Sequence, residues 1–138
     1  MSGTRPVPQP DELSAPYWAA AQRHESMLPR CASCAQFDLP PEIVCRRCGS
    51  TSPEWSHEVV SGRGAIRSWT IVRKSNLSGL PSPFVIVDVE LDEQDDLRVI
   101  GRLADGADAT LEIGARVETD FEDVDENHTV PVFRLAGP

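Results

Sequence analysis

The chain has 138 residues, of which 40% are hydrophobic and 25% are charged, and its formal net charge is −9. This length suits one domain or two very small ones, and no apolar run approaches the roughly 18 residues that span a membrane. Residues 57–138 carry eight basic and sixteen acidic side chains, a balance of −8. Because nucleic-acid binding relies on basic residues that neutralise phosphates, this acidity argues against that function.

The first residues predict a flexible arm followed by a short helix. Residues 1–10 contain three prolines and lack the apolar segment of a secretion signal, which predicts a cytoplasmic protein. Ser14 is a suitable N-cap and Pro16 suits a first helical turn, so a helix of about three turns is expected there. Tyr17 and Trp18 give this helix an apolar stripe. They pack either on the rest of the chain or on a partner protein.

The four cysteines of the chain, Cys31, Cys34, Cys45 and Cys48, form two C-x-x-C pairs ten residues apart. This spacing is typical of a zinc ribbon, in which two turns direct four thiolates at one tetrahedral ion. A closed set of four sulfurs leaves no position for a substrate, so the predicted Zn²⁺ is structural. Two disulfides would need an oxidising compartment. An iron site with the same ligands is chemically possible but ranks below zinc, because no electron-transfer motif accompanies it.

The two cysteine turns differ in the residue that follows the second cysteine. Gly49 follows the second pair and takes positive φ at little cost, whereas Ala35 holds the matching place after the first pair. The first turn is therefore expected to differ slightly from the second. Residues 30–50 contain few large apolar side chains, so this segment is expected to depend on its metal for folding.

The remainder of the chain predicts a five-stranded barrel of the oligonucleotide/oligosaccharide-binding type, the OB-fold. Its apolar residues alternate in short runs separated by turn signals, and closure of a barrel removes exposed strand edges. The expected strands, five or six in number, are 55–60, 65–73, 84–91, 97–103, 115–121 and 129–135. The side chains expected to point inward are Val85, Val87, Val89, Leu91, Leu97, Val99, Leu103, Val117, Thr119 and Phe121.

These predictions give a mainly β chain with three parts. Residues 1–28 form an N-terminal arm and helix, residues 29–54 a rubredoxin-like zinc ribbon, and residues 55–138 the OB-fold.

The order and spacing of these motifs resemble a family of small zinc-ribbon plus OB-fold proteins associated with acyl-CoA metabolism. The resemblance covers about residues 11–134. Besides the four cysteines, the residues that carry it are Pro16-Tyr17-Trp18, Leu39-Pro40-Pro41, Gly49-Ser50, Glu54-Trp55, Ser61-Gly62-Arg63-Gly64, Pro83-Phe84-Val85, Ile113-Gly114 and Val117.

Members of this family are encoded beside, fused to or complexed with thiolase-like enzymes, including acyltransferases, hydroxymethylglutaryl-CoA synthases and aldolases of sterol side-chain breakdown. Some also associate with acyl-CoA hydratases. The resemblance therefore implies a non-catalytic accessory subunit that binds and supports a thiolase-like partner. It implies Zn²⁺ at the four cysteines and supplies no catalytic residue for this chain.

A cluster of basic residues offers a candidate site for coenzyme A. Arg63, Arg67, Arg73 and Lys74 lie within twelve positions. Arg67 and Arg73 are expected on the same strand face as Trp69 and Ile71, an arrangement that suits arginines holding phosphates while Trp69 stacks on an adenine. The alternative is that these side chains are solvated and balance an acidic surface.

Apolar residues outside the predicted core offer a candidate partner interface. Tyr17 and Trp18 on the helix and Leu77 and Leu80 in the loop 75–83 have few places to be buried, and exposed apolar patches mark interfaces. The alternative is that Leu77 and Leu80 cap the end of the barrel.

Two other functions receive less support. A single-stranded nucleic-acid module would need a basic groove with aromatic platforms, which the acidic barrel does not offer. An independent enzyme would need grouped catalytic residues, but His24, His57 and His128 are scattered. Asp88 and Glu90 share a strand face as an acid–base pair would, although such residues on an acidic surface are usually solvated.

Overall fold

The computed structural model describes residues 5–137 and confirms a mainly β chain with one short helix. A two-stranded sheet is followed by a five-stranded sheet. In chain order the elements are α1 (Ala15–Gln22), β1 (Ser26–Cys31), β2 (Trp55–Val60), β3 (Arg63–Val72), β4 (Phe84–Leu91), β5 (Arg98–Arg102), β6 (Arg116–Asp125) and β7 (His128–Leu135).

The helix begins where the sequence predicts, but Ser14 does not cap it in the predicted way. The Ser14 side chain makes no capping bond to the helix. Instead its hydroxyl accepts the backbone N–H of Asp11 at 3.0 Å, while the Asp11 carboxylate accepts that of Ser14 at 2.7 Å. Ala20 and Ala21 are buried, and these small side chains let the helix approach the sheets closely. The Asp11–Ser14 turn therefore fixes where the chain enters α1.

Strand β1 is absent from the sequence-based prediction. It pairs antiparallel with β2, from Ser26 opposite Val60 to Cys31 opposite Trp55. The strand was not predicted because it contains Pro29, and proline within a strand is tolerated only at the edge of a sheet. β1 carries the first cysteine and crosses the predicted boundary between residues 28 and 29.

The five-stranded sheet has the order β5-β4-β3-β6-β7 and curls until its edges meet. A parallel bridge between Leu103 and Phe133 joins the two edges, and the Ala104 N–H donates to the Phe133 carbonyl at 2.7 Å. Gly101 makes this closure possible, because a Cβ at that position would lie 3.0 Å from the Phe133 ring. The absence of a side chain at Gly101 thus makes room for Phe133, the largest core side chain.

The barrel core consists mainly of the residues that alternate along the strands. Most of the side chains expected inward are buried, whereas Val99, Thr119 and Phe121 are only half-buried. Phe121 stacks on His24 with 5.3 Å between ring centroids, beside the C-terminus of α1. The inward prediction is wrong for Phe121, whose ring stacks on His24 instead of joining the core cluster. Core residues are Leu28, Val60, Ile66, Val85, Val87, Val89, Leu91, Leu97, Leu103, Val117 and Phe133.

The ribbon is attached to the barrel by packing and by hydrogen bonds. Phe37 and Leu39 pack against the barrel core. The Gln94 side-chain amide bonds the backbone of Phe37 in both directions, at 2.8 and 3.0 Å. Arg47 Nη2 donates to the Asp96 carbonyl at 3.1 Å. The β4–β5 turn therefore holds the metal-binding segment in a fixed position.

The described part of the predicted arm, residues 5–10, forms neither helix nor strand but contacts the barrel. The Arg5 guanidinium pairs with Glu122, and the Arg5 backbone lies against Gly79 in the β3–β4 loop. Residues 1–4 lie outside the described residues. Within residues 5–137, no helix has the length and apolar character that crossing a membrane would require.

Candidate metal centre

The four predicted metal ligands come together at one point. The sulfur atoms of Cys31, Cys34, Cys45 and Cys48 all lie within 4.8 Å of one another. The Sγ–Sγ distance is 3.9 Å from Cys31 to Cys48 and 3.9 Å from Cys34 to Cys45. Zn–S bonds of about 2.3 Å give a tetrahedron with edges of about 3.8 Å. The donor set therefore fits a tetrahedral zinc ion, and a bound zinc ion would crosslink the two turns.

The two cysteine turns have the same backbone geometry. The Cys31 carbonyl accepts the N–H of Ala35 at 2.7 Å, and the Cys45 carbonyl accepts the N–H of Gly49 at 2.7 Å. Ala35 has φ 62° and Gly49 has φ 79°. Positive φ at Gly49 is thus confirmed. The expectation that the first turn differs is wrong, because Ala35 adopts the same conformation under strain.

Replacing Ala35 with glycine should stabilise the protein by about 1 kcal/mol, because glycine adopts positive φ without a clash at Cβ. Urea denaturation of the zinc-loaded chain measures this change. Ala32→Gly, at an exposed site in the same turn, is the matched control and should destabilise by about 0.5–1 kcal/mol. A lower free energy of unfolding in Ala35→Gly than in the wild type would contradict the claim that alanine is strained at this position.

The surroundings of Cys31 favour its metal-binding thiolate form. The backbone N–H of Cys34 lowers the pKa of the Cys31 thiol to about 7, since a hydrogen bond to sulfur stabilises the thiolate. Cys31 and Cys45 are buried while Cys48 is exposed. One side of the centre therefore faces the protein and the other faces solvent.

A buried carboxylate ties the second cysteine turn to the loop that connects the two turns. Asp38 is 1% exposed, and both of its oxygens accept hydrogen bonds of 2.7 Å from Arg46, in the second turn. Arg47 Nε lies 3.6 Å from the same carboxylate. Sequence reasoning missed this cluster. Two features of the sequence could have indicated it: the adjacent arginines between Cys45 and Cys48, and the acidic residue Asp38 in the loop that connects the two turns.

The residues proposed from sequence for coenzyme A do not form one site. Arg63 and Arg73 lie at opposite ends of β3, about 30 Å apart for an extended strand of this length. A bulge between Ile66 and Ser68 interrupts the alternation, and Arg67 reaches Glu90 at 3.7 Å on the outer face. The predicted shared face of Arg67 and Trp69 is therefore wrong, because Trp69 lies opposite the core residue Val87.

The residues proposed for a partner interface lie on separate surfaces. Tyr17 and Trp18 contact each other edge to face at 4.9 Å and line a groove against β5. Leu77 is 48% exposed and lies with Leu80 in the β3–β4 loop. Burial raises the pKa of Tyr17 to about 12, consistent with its packing against the barrel core.

The carboxylates weighed as a catalytic pair have structural partners. Asp88 accepts a hydrogen bond of 2.6 Å from Arg98. Glu90 accepts the backbone N–H of Asp96 at 2.8 Å. These contacts fix the β4–β5 turn and give the pair a role in the fold.

Comparison with known proteins places this fold and metal site in a family. Residues 18–54 match the family described as the ChsH2 rubredoxin-like zinc ribbon domain, and residues 57–122 match the ChsH2 C-terminal OB-fold domain. A solved structure described as "Ltp2-ChsH2(DUF35) aldolase" superimposes with a TM-score of 0.81 at 30% identity, covering 94% of this chain and 99% of that one. The chain belongs to the ChsH2 (DUF35) family. Its predicted zinc cofactor is thereby confirmed.

Other ChsH2 (DUF35) relatives have different lengths and names. A probable enoyl-CoA hydratase alpha subunit of Thermomonospora curvata is 31% identical over 134 residues, which are 97% of this chain and 41% of that protein. The chain thus spans about two fifths of that relative. A DUF35 domain-containing scaffold protein of Methanocaldococcus jannaschii is 26% identical over 71% of this chain and 68% of its own length. A DUF35 protein of unknown function from Sulfolobus solfataricus shares the fold, with a TM-score of 0.60 at 11% identity over 91% of this chain and 86% of that one.

Proposed function

We propose that this chain is a cytoplasmic, non-catalytic accessory subunit of a thiolase-like acyl-CoA enzyme, an acyltransferase or an aldolase of lipid breakdown. The observation that carries the proposal is the likeness, over nearly the full length of both chains, to the structure described as "Ltp2-ChsH2(DUF35) aldolase". The scaffold name of the archaeal relatives supports the same role. The name of the Thermomonospora relative adds an acyl-CoA hydratase as a further candidate partner.

The geometry of the metal centre agrees with a supporting role. Four cysteine sulfurs complete a tetrahedron, so a bound zinc ion has no open position at which to activate water or substrate. When bound, the ion supplies structural crosslinking. The chain's own residues, chiefly Gln94 and Arg47, then hold the ribbon in place against the barrel.

Co-expression with a thiolase-like protein from the same organism tests this proposal. We expect the two chains to co-purify and to elute together as a hetero-oligomer in size-exclusion chromatography with light scattering. The isolated zinc-loaded chain should neither cleave nor hydrate acyl-CoA substrates such as crotonyl-CoA. Hydration of crotonyl-CoA by the chain alone, or elution as a lone monomer beside an active thiolase-like enzyme, would overturn the proposal.

A further inference from the structure

The second half of β3 lies at an open edge of the sheet. β3 pairs with β6 only at residues 63–65, whereas its pairing with β4 continues as far as Val72. Beyond residue 66, one side of β3 therefore has β4 as its neighbour and the other side has no strand beside it within residues 5–137. Four consecutive residues of this half, 67–70, are exposed. Open strand edges are places at which another chain can pair.

Trp69 and Ile71 turn their backbone groups toward this open side. The Leu103 N–H donates to the Val85 carbonyl at 2.9 Å, so residues 85, 87 and 89 of β4 face away from β3 and residues 84, 86 and 88 face it, because the groups alternate along an antiparallel strand. The residues of β3 opposite this second set are Ser68, Thr70 and Val72. The N–H and C=O groups of Trp69 and Ile71 thus point away from β4, and no backbone group of the described chain bonds to them.

The side chains at the open edge suit an added strand with apolar residues at alternate positions. Trp69 is 37% exposed and lies opposite Val87, and Ile71 lies opposite Val85. Apolar side chains of a strand placed beside β3 would lie next to Trp69 and Ile71 and extend the barrel core. The segment 68–72 contains no proline, lysine or other charged residue, although such residues commonly protect the edges of natural sheets.

The charges around the open edge favour an acidic occupant. Arg67, Arg73 and Lys74 flank the segment 68–72 in a chain whose net charge is −9. Arg67 lies 3.7 Å from Glu90, and this is the only ion pair that the described residues provide for the three basic side chains. Complementary charge makes an acidic strand the partner of choice for such an edge.

A second copy of this chain fits the open edge poorly. A two-fold pairing that satisfies both sets of backbone groups sets Trp69 of one chain opposite Ile71 of the other. The same register brings Arg67 of each chain beside Arg73 of its neighbour. Like charges facing each other across two strands destabilise a sheet, so the occupant is a different chain.

We propose that an acidic strand of the partner protein adds to β3 at Trp69 and Ile71. Its backbone bonds the free N–H and C=O groups of these two residues, and its alternate apolar side chains lie beside them, as in other cases of strand addition. Its carboxylates lie beside Arg67, Arg73 and Lys74. The choice of a thiolase-like enzyme as the partner rests on the proposed function. The basic residues of β3 thereby serve partner recognition instead of phosphate binding.

Amide hydrogen exchange followed by NMR tests the open edge residue by residue. In the free zinc-loaded chain, the N–H groups of Trp69 and Ile71 should exchange about tenfold faster than that of Thr70, which faces β4. Addition of the thiolase-like protein from the same organism should slow exchange at Trp69 and Ile71 by about tenfold or more. Exchange at Thr70 should change little, so this residue is the internal control.

Charge variants test the recognition by affinity. Arg73→Gln combined with Lys74→Gln should weaken binding of the thiolase-like protein by about tenfold in calorimetry, and added salt should reduce the difference. The matched control combines Arg23→Gln with Arg134→Gln, which removes the same charge from two exposed arginines elsewhere on the chain. This control should bind like the wild type.

A synthetic peptide, Glu-Glu-Val-Thr-Val-Glu-Glu with blocked ends, separates this proposal from the proposed function. At millimolar concentration it should slow exchange at Trp69 and Ile71 even if the thiolase-like protein does not bind, an outcome that would contradict the proposed function alone. Slow exchange at both residues in the free chain, or no protection of them by either probe, would overturn the proposal. Protection that grows with the concentration of the free chain would assign the edge to a second copy and would also overturn it.

Discussion

Replacing Cys45 with serine should abolish zinc binding and unfold the ribbon. Cys45 is fully buried, and a structural zinc contributes on the order of 10–16 kcal/mol of apparent folding free energy. That is comparable to the whole stability of an ordinary domain, about 5–15 kcal/mol. Elemental analysis should show one zinc per wild-type chain and none per variant, and the variant should melt at a much lower temperature in circular dichroism.

Chelation of the wild-type protein should reproduce the effect of Cys45→Ser. The matched control is Ser33→Ala, which changes an exposed side chain between two ligands and keeps the backbone of the turn. It should retain one zinc ion and the wild-type melting temperature. A Cys45→Ser chain that keeps its zinc and melts like the wild type would contradict a structural role for the metal.

Replacing Asp38 with alanine should destabilise the chain by about 3 kcal/mol. Its carboxylate is buried and accepts two hydrogen bonds from Arg46 at 2.7 Å, and Arg47 lies beside it. Removing one partner of a buried ion pair leaves the other charge without compensation, which is among the costlier single substitutions. Urea denaturation of the zinc-loaded variant measures the loss.

The control for Asp38 is Asp95→Ala, at an exposed acidic residue in the β4–β5 turn. It should change the free energy of unfolding by less than about 0.5 kcal/mol. If Asp38→Ala falls within the same range, the carboxylate does not anchor the second cysteine turn to the connecting loop.

The sequence predicted those parts of the fold whose chemistry is local. The C-x-x-C spacing identified the four zinc ligands, and the place of Gly49 after the second pair identified a backbone site with positive φ. Strict alternation from Val85 to Leu91 identified strand β4. In each case a few neighbouring residues determine the structure, because spacing and side-chain period fix the geometry.

The parts that the sequence did not predict depend on contacts between distant segments. β1 forms only because β2, nearly thirty residues later, pairs with it. Gln94 bonds the Phe37 backbone across 57 positions. The bulge beside Ile66 turns Arg67 to the outer face. The sequence analysis assumed regular alternation of side chains along β3 and therefore placed Arg67 and Trp69 on one face. Arg47, in the second cysteine turn, likewise donates to the Asp96 carbonyl 49 positions later.

The central claim, that a zinc-stapled chain supports another protein's chemistry, is tested most directly by the turnover of a thiolase-like partner from the same organism. The partner's acyl-CoA turnover is measured alone, with the zinc-loaded chain, and with the Cys45→Ser chain. We predict that the zinc-loaded chain raises turnover and that the variant does not. Equal turnover in all three samples, or turnover by the zinc-loaded chain without the partner, would contradict the account.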